Sequence, residues 1–163
     1  MKKALLILSF LSFILLACGP KYVIDKTYDI TNNEWTYADS LRFEFEIQDT
    51  LKLYDLILEL KHSTDFGYQN LYTQIHTTFP DGMRLSKPVS LEIANPAGEW
   101  QGKCNSKSCA IEIPIQQGAY FNQIGAYSIV LEQYMRENPI KGVQSLTLKV
   151  QETGALRTNS GKQ

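Results

Sequence analysis

The chain has 163 residues, of which 44% are hydrophobic and 20% charged, with 16 basic and 17 acidic side chains and a formal net charge of −1. A balance this close to neutral excludes the basic surface that nucleic acid or a polybasic membrane patch selects. The length suits a single domain with its own core.

The chain opens Met1-Lys2-Lys3, and the stretch from Ala4 to Leu16 carries no charge. That stretch is shorter than the roughly 20 apolar residues a membrane-crossing helix needs, but it suits the apolar centre of a signal peptide over residues 1–17. It ends Leu15-Leu16-Ala17-Cys18, which resembles the bacterial lipobox. There a Cys thiol takes a diacylglyceryl group before cleavage, and the mature protein is held by acyl chains such as palmitate. Cys18 is therefore predicted to be the lipid-bearing first residue. The rival readings are an ordinary cleaved signal peptide with an incidental Cys18, and an uncleaved short anchor. Two or more acyl chains hold a protein at a bilayer where one would leak. Gly19-Pro20 break any helix, so residues 18–32 are predicted to form a tether. Without Lys2 and Lys3 the mature chain carries 14 basic against 17 acidic residues.

Period-two alternation governs the mature chain. Leu41, Phe43, Phe45 and Ile47 alternate with Arg42, Glu44, Glu46 and Gln48. Tyr54, Leu56, Leu58 and Leu60 repeat the pattern, as do Leu71, Thr73 and Ile75, then Val89, Leu91 and Ile93. Ile111, Ile113 and Ile115, then Tyr127, Ile129 and Leu131, and lastly Leu146, Leu148 and Val150 complete seven clear strands. Tyr22–Ile30 and Glu99–Lys103 are plausible additions. Turn signals at Asp65-Phe66-Gly67, Pro80-Asp81-Gly82, Asn95-Pro96-Ala97-Gly98, Gln117-Gly118 and Asn138-Pro139 separate the runs. The pattern predicts an all-β fold: an antiparallel β-sandwich of about eight strands, jelly-roll or immunoglobulin-like, over residues 33–153. Pro114 inside its run marks an edge strand or a bulge. Tyr120–Ile124 suits a short turn of helix. Residues 154–163 are polar and aperiodic, and read as a disordered tail.

Three Cys are present. With Cys18 consumed by lipid, Cys104 and Cys109 form an even pair, read in an oxidising compartment as a disulfide. Closing so short a loop would stabilise by roughly 2 kcal/mol in the chain-entropy view. Free thiols are the main alternative, with metal or redox chemistry behind. No hydrolase elbow, phosphate-binding glycine loop or His-Glu-x-x-His pair occurs. His62 and His76 read as structural, and Glu44, Glu46, Glu59 and Glu112 as a solvated face. No catalytic residue, metal site or cofactor is predicted. Aromatics are abundant near strand ends, and Tyr68, Asn70, Tyr72 and Trp100 are candidates for an interaction surface, either for proteins or for stacked sugars. The competing reading has Asn70 capping a turn while the aromatics fill the sandwich.

The order and spacing of several stretches resemble the gliding-motility lipoproteins of the GldH family. These are Trp35-Thr-Tyr-Ala-Asp39, Phe43-Glu-Phe-Glu-Ile47, Leu58-Glu-Leu-Lys-His62, Tyr68-Gln-Asn-Leu-Tyr72, Phe79-Pro-Asp-Gly82, Gly98-Glu-Trp-Gln-Gly102, and Gly125-Ala-Tyr127 leading to Leu131-Glu-Gln-Tyr-Met-Arg136. The resemblance covers about residues 22–152. Three features depart from the family pattern: Leu146-Thr-Leu-Lys149 stands in place of a Gly-Leu-Arg run, Lys61 in place of Arg before the histidine, and the Cys104–Cys109 pair is an addition. The resemblance implies a non-enzymatic role in gliding and in the associated type IX secretion machinery, and it carries over no catalytic or ligand residue.

The resulting expectation is a lipoprotein of the outer membrane facing the periplasm, with no nucleic-acid partner. It would contact other gliding or secretion proteins. A carbohydrate-binding envelope lipoprotein, taking polysaccharide, is the alternative. Cys18→Ala is expected to leave a precursor without lipid. Intact-mass measurement checks this, and a mature wild-type protein lacking an acyl mass addition would contradict it.

Overall fold

Leu41, Phe43, Phe45 and Ile47 are buried while Arg42, Glu44 and Glu46 face solvent, so β3 (Leu41–Ile47) has one dry face and one wet face. The same logic builds the rest of the structure, a computed structural model that describes residues 19–158. The signal segment and Cys18 lie outside the described residues.

In chain order the remaining strands are β1 (Tyr22–Asp29), β2 (Glu34–Trp35), β4 (Lys52–Ser63), β5 (Asn70–Thr78), β6 (Arg84–Glu92), β7 (Lys103–Cys104), β8 (Ser108–Ala119), β9 (Gly125–Gln133), β10 (Ile140–Lys141) and β11 (Val143–Leu156). There are thus eleven strands among the described residues rather than about eight, and β2, β7 and β10 contribute only two residues each. One sheet runs β1-β11-β4-β8-β7 and the other β3-β9-β5-β6, every pairing antiparallel. β2 and β10 form a separate two-stranded pair. The inner faces meet in one apolar layer. Phe43, Ile129 and Leu131 come from the four-stranded sheet, and Leu58, Leu60, Leu146 and Leu148 from the five-stranded one. This is the expected sandwich.

Three local expectations need correction. Residues 22–29 are a strand, as the addition at Tyr22–Ile30 anticipated, and not part of the tether expected over 18–32. β1 pairs with β11 from Tyr22↔Gln151 to Asp29↔Ser145 because Val23, Ile24 and Tyr28 pack on the core. At the other terminus β11 continues to Leu156, opposite Lys52, and the Arg157 amide donates to the Leu51 carbonyl at 2.6 Å. The expected tail at 154–163 is therefore ordered as far as 158, and residues 159–163 lie outside the described residues. Tyr120–Ile124 is a bend, not a helical turn. Its Phe121 turns inward against Phe45, Tyr54 and Tyr127, and that aromatic burial outweighs any local helical preference. The acidic face is exposed at Glu44, Glu46 and Glu112 as expected and half-buried at Glu59, and Lys149 reaches from β11 across Glu59 and Glu112. Those two acids face each other on β4 and β8, an unfavourable like-charge pair that the ammonium bridges at 2.7 and 2.6 Å. Glu112 first and then Glu59 hold the Lys149 pKa above its ordinary value.

Pro114 meets both of its expectations. β8 is covered on its outer side only at residues 109–110, and the register slips by one residue beside Pro114, between the Leu56↔Gln116 and Ile57↔Pro114 pairs. The two sides of the sandwich consequently differ. On one side β1 and β3 are tied: the Tyr28 hydroxyl donates to the Arg42 carbonyl at 2.6 Å and its ring stands edge-on to Phe43. On the other side β6 and β8 stand apart around an open cleft of about 400 Å³.

Among the buried polar side chains of the described residues, one is an imidazole. His62 on β4 is fully buried, with Phe66 and Trp100 against its ring. Its Nδ1 is 2.8 Å from the Ser63 carbonyl, so Nδ1 carries the proton and donates. Nε2 has no hydrogen-bond partner. A second proton there would be a buried unpaired charge, and burial accordingly lowers the His62 pKa below the usual histidine value. With the folded pKa depressed, stability is full above the unfolded value of about 6.5 and declines as pH falls through the folded value, by at most about 1.4 kcal/mol per pH unit. Urea unfolding midpoints between about pH 7 and pH 5.5 are expected to fall in the wild type. His62→Met is expected to flatten that slope, and an equal slope in both proteins would contradict this role.

Candidate functional surface

The four residues predicted as an interaction surface divide three to one. Leu71 and Thr73 are buried, so the alternation of β5 sends Asn70 and Tyr72 to the outer face of the four-stranded sheet. The Asn70 side-chain amide donates to Ser90 Oγ at 3.1 Å, a cross-strand bond to β6 and not a turn cap. Two residues earlier Tyr68 is exposed; its hydroxyl donates to the Glu137 carboxylate and its ring stands edge-on to Phe66. That bond to Glu137 raises the Tyr68 pKa.

Tyr72 has neighbours the sequence did not group with it. The Tyr134 amide donates to the Tyr72 carbonyl at 2.9 Å, continuing the β5–β9 ladder by one rung and setting the two residues opposite each other. Both rings are exposed, at 46% and 60%. Tyr37 joins from the other side: its amide donates to Asn138 Oδ1 at 2.9 Å and its hydroxyl to the Met135 carbonyl at 2.7 Å. Four tyrosines thus ring the loop from Gln133 to Asn138. Buried Gln133 fixes that loop from within. Its Nε2 donates to the Glu137 carbonyl at 3.1 Å, and its Oε1 accepts from the Met135 amide at 2.9 Å. An aromatic rim on a pinned loop loses little conformational entropy on binding, which suits it to molecular contacts.

Trp100 departs from this group. It is half-buried with its ring 4.7 Å from that of His62, and Nε1 donates to the Thr64 carbonyl at 3.2 Å. The indole closes one end of the core instead of standing free as a stacking platform for sugars.

His76 has a carboxylate beside it. Its Nδ1 is 2.6 Å from Ser86 Oγ, and its Nε2 is 3.3 Å from Glu132 Oε2, whose second oxygen accepts from Ser40 Oγ at 3.1 Å. Hydroxyl, imidazole and carboxylate stand in the order a nucleophilic triad uses. They lie, however, across an open sheet face, where His76 is paired with Ser86 on one side and Val130 on the other. Backbone amides at this register serve the ladder and are not gathered into an oxyanion-binding pocket. The chain of contacts laces four strands' worth of sheet together. Among the described residues no three His, Cys, Asp or Glu side chains gather as a metal-ligand set, and no helix is long and apolar enough to cross a membrane.

Cys104 and Cys109 are bonded to each other across the β7–β8 turn. Asn105 Oδ1 shapes the turn by accepting from the Lys107 and Ser108 amides at 2.8 and 2.9 Å. Gly102 permits the approach: its φ is +88°, and a Cβ there would stand 2.3 Å from the Ala110 carbonyl oxygen.

Comparison with known proteins places this surface in context. The family model described as GldH lipoprotein matches residues 22–150, nearly the whole sandwich. The chain is 28% identical over 149 residues to the gliding motility lipoprotein GldH homolog of Christiangramia forsetii, covering 90% of this chain and 91% of that protein. It is 24% identical over 141 residues to the gliding motility lipoprotein GldH of Flavobacterium johnsoniae, covering 86% and 87%. From the first paired strand to the last, the chain belongs to the GldH lipoprotein family.

Proposed function

We propose that this lipoprotein is a non-catalytic component of gliding motility and of the associated type IX secretion machinery, held by lipid on Cys18 at the periplasmic face of the outer membrane. It acts through protein contacts made by the tyrosine rim. The membership of the chain in a family whose relatives carry gliding motility in their names supports the process. The mode of action rests on one observation: Tyr72 and Tyr134 stand opposite each other and exposed.

Burying two tyrosines at the centre of an interface is a common source of binding energy, and the surrounding polar groups, Asn70 and Glu132 among them, can supply orientation. Residues 19–21 precede β1, so little chain separates the sandwich from the lipid-bearing position. The domain therefore works close to the bilayer surface. The cation-rich patches that bind anionic headgroups are not a feature of its composition.

A photo-reactive residue at position 72 or 134 is expected to capture envelope proteins in living cells. The same residue at Asp25, exposed on the opposite sheet, is expected to capture far less. Tyr72→Ala with Tyr134→Ala is expected to impair surface spreading while changing stability by no more than about 0.5 kcal/mol per site. Equal capture at positions 25, 72 and 134, with spreading intact in the double variant, would contradict the reading.

A further inference from the structure

The open side of the sandwich has no part in the tyrosine rim, and its chemistry is distinct. Leu56 and Ile115 from the five-stranded sheet face Ile75, Leu85 and Val89 from the four-stranded sheet across a cleft of about 400 Å³. That volume lies at the small end of the range for ligand pockets, about 300–1,000 Å³. Leu85 is 60% exposed even though it pairs with Thr77, which lines the cleft from the inner face of β5. Lys87 pairs with Ile75 and so also occupies an inward register on β6, at the cleft wall. Among the described residues no carboxylate forms a salt bridge with it.

The occupant of such a slot is narrowly constrained. Sheets packed face to face lie about 10 Å apart, and a helix with its side chains is about 10–12 Å across, so a helix does not enter. A peptide strand would have to pair with β6 or β8, and each carries a proline in this stretch, Pro88 and Pro114, which withholds a backbone donor. An unbranched alkyl chain needs no hydrogen bonds and is one chain wide. A single unpaired ammonium at the wall suits an anionic group at the end of that chain.

We infer that the cleft between β6 and β8 is a binding site for one acyl chain, with Lys87 meeting its carboxylate or phosphate head. The inference does not depend on the protein contacts proposed above. The rival account is that Lys87 and the two prolines only guard the sheet edges against pairing with other chains. The two accounts diverge on the sign of the charge. Glutamate at position 87 would guard an edge as well as lysine does, but it would repel an anionic head.

The test uses the full-length lipoprotein, purified with its own lipid and reconstituted in phosphatidylcholine nanodiscs, with a diazirine-bearing palmitic acid as probe. Photolysis followed by peptide mapping is expected to place adducts on β6 and β8 at the cleft. Lys87→Arg should retain them, and Lys87→Glu should lower their yield by about tenfold. Leu85→Trp, at a site already exposed, should fill the slot and abolish them while leaving thermal unfolding unchanged. The occupant is a membrane-derived lipid, because a diacylglyceryl group on Cys18 carries no anionic head for Lys87 to meet. The Cys18→Ala precursor is therefore expected to label as heavily as wild type, and heavier labelling would put the protein's own anchor in the cleft and overturn the role given to Lys87. Adducts scattered over the surface, or cleft labelling unchanged in both Lys87→Glu and Leu85→Trp, would overturn the site and leave an edge guard only.

Discussion

The structure depends on a single apolar layer, one side chain deep from each sheet, and on its being filled. Phe43, Leu58, Leu60, Leu131, Leu146 and Leu148 are fully buried in it, from strands distant in sequence. Each strand gives every second residue to this layer, so its remaining residues are committed to solvent. Burying a Leu or Phe side chain contributes on the order of 1.5–3 kcal/mol before entropy is set against it, and one charged group moved inward would forfeit several such contributions. His62 is tolerated only as a neutral ring, donating to Ser63 and covered by Phe66 and Trp100. Where the layer is filled it leaves little interior space for chemistry, which directs function to faces, rims and the open edge.

The layer is closed unequally at its two sides. Where β1 meets β3, the Tyr28 ring and hydroxyl span the gap between the sheets. Where β6 meets β8 no such bridge forms, and Leu85 stays exposed. The two edges carry prolines and a lysine at an inward register, features that discourage pairing with other chains. The end of the sandwich at the Gln133–Asn138 loop is different again, with four tyrosines set on a loop that Gln133 fixes from beneath. A rim for partners and a slot for a chain therefore occupy separate parts of one small body.

Much of this is legible in the sequence because burial and alternation are the same fact seen twice. β3, β9 and the central part of β4 follow directly from alternation, and Pro114 announces its own bulge. β1 is harder to read: Asp25, Lys26 and Asp29 dilute its apolar signal, and only the presence of β11 alongside makes it a strand. The two-residue strands have no periodicity to find. Tyr68, Asn70 and Tyr72 share a face by simple parity. Tyr134 joins them only because β9 lies beside β5, and Tyr37 only because its loop folds back onto Met135. Trp100 misleads for the converse reason: a tryptophan between turn glycines looks available, but the buried His62 claims its ring. The cleft is a property of two edges that meet in space and leaves no local mark.

Amide hydrogen exchange on the full lipoprotein in a bilayer mimic tests the unequal closure of the core layer most directly, because opening free energies follow buried contacts and not hydrogen-bond count alone. Slowest exchange is expected along β4, β9 and β11. Residues 84–87 of β6 are expected to exchange much faster, although each is paired with β5. Protection of those residues equal to that of β4 would mean that the β6 side is sealed, and would contradict the open side on which the proposed slot depends.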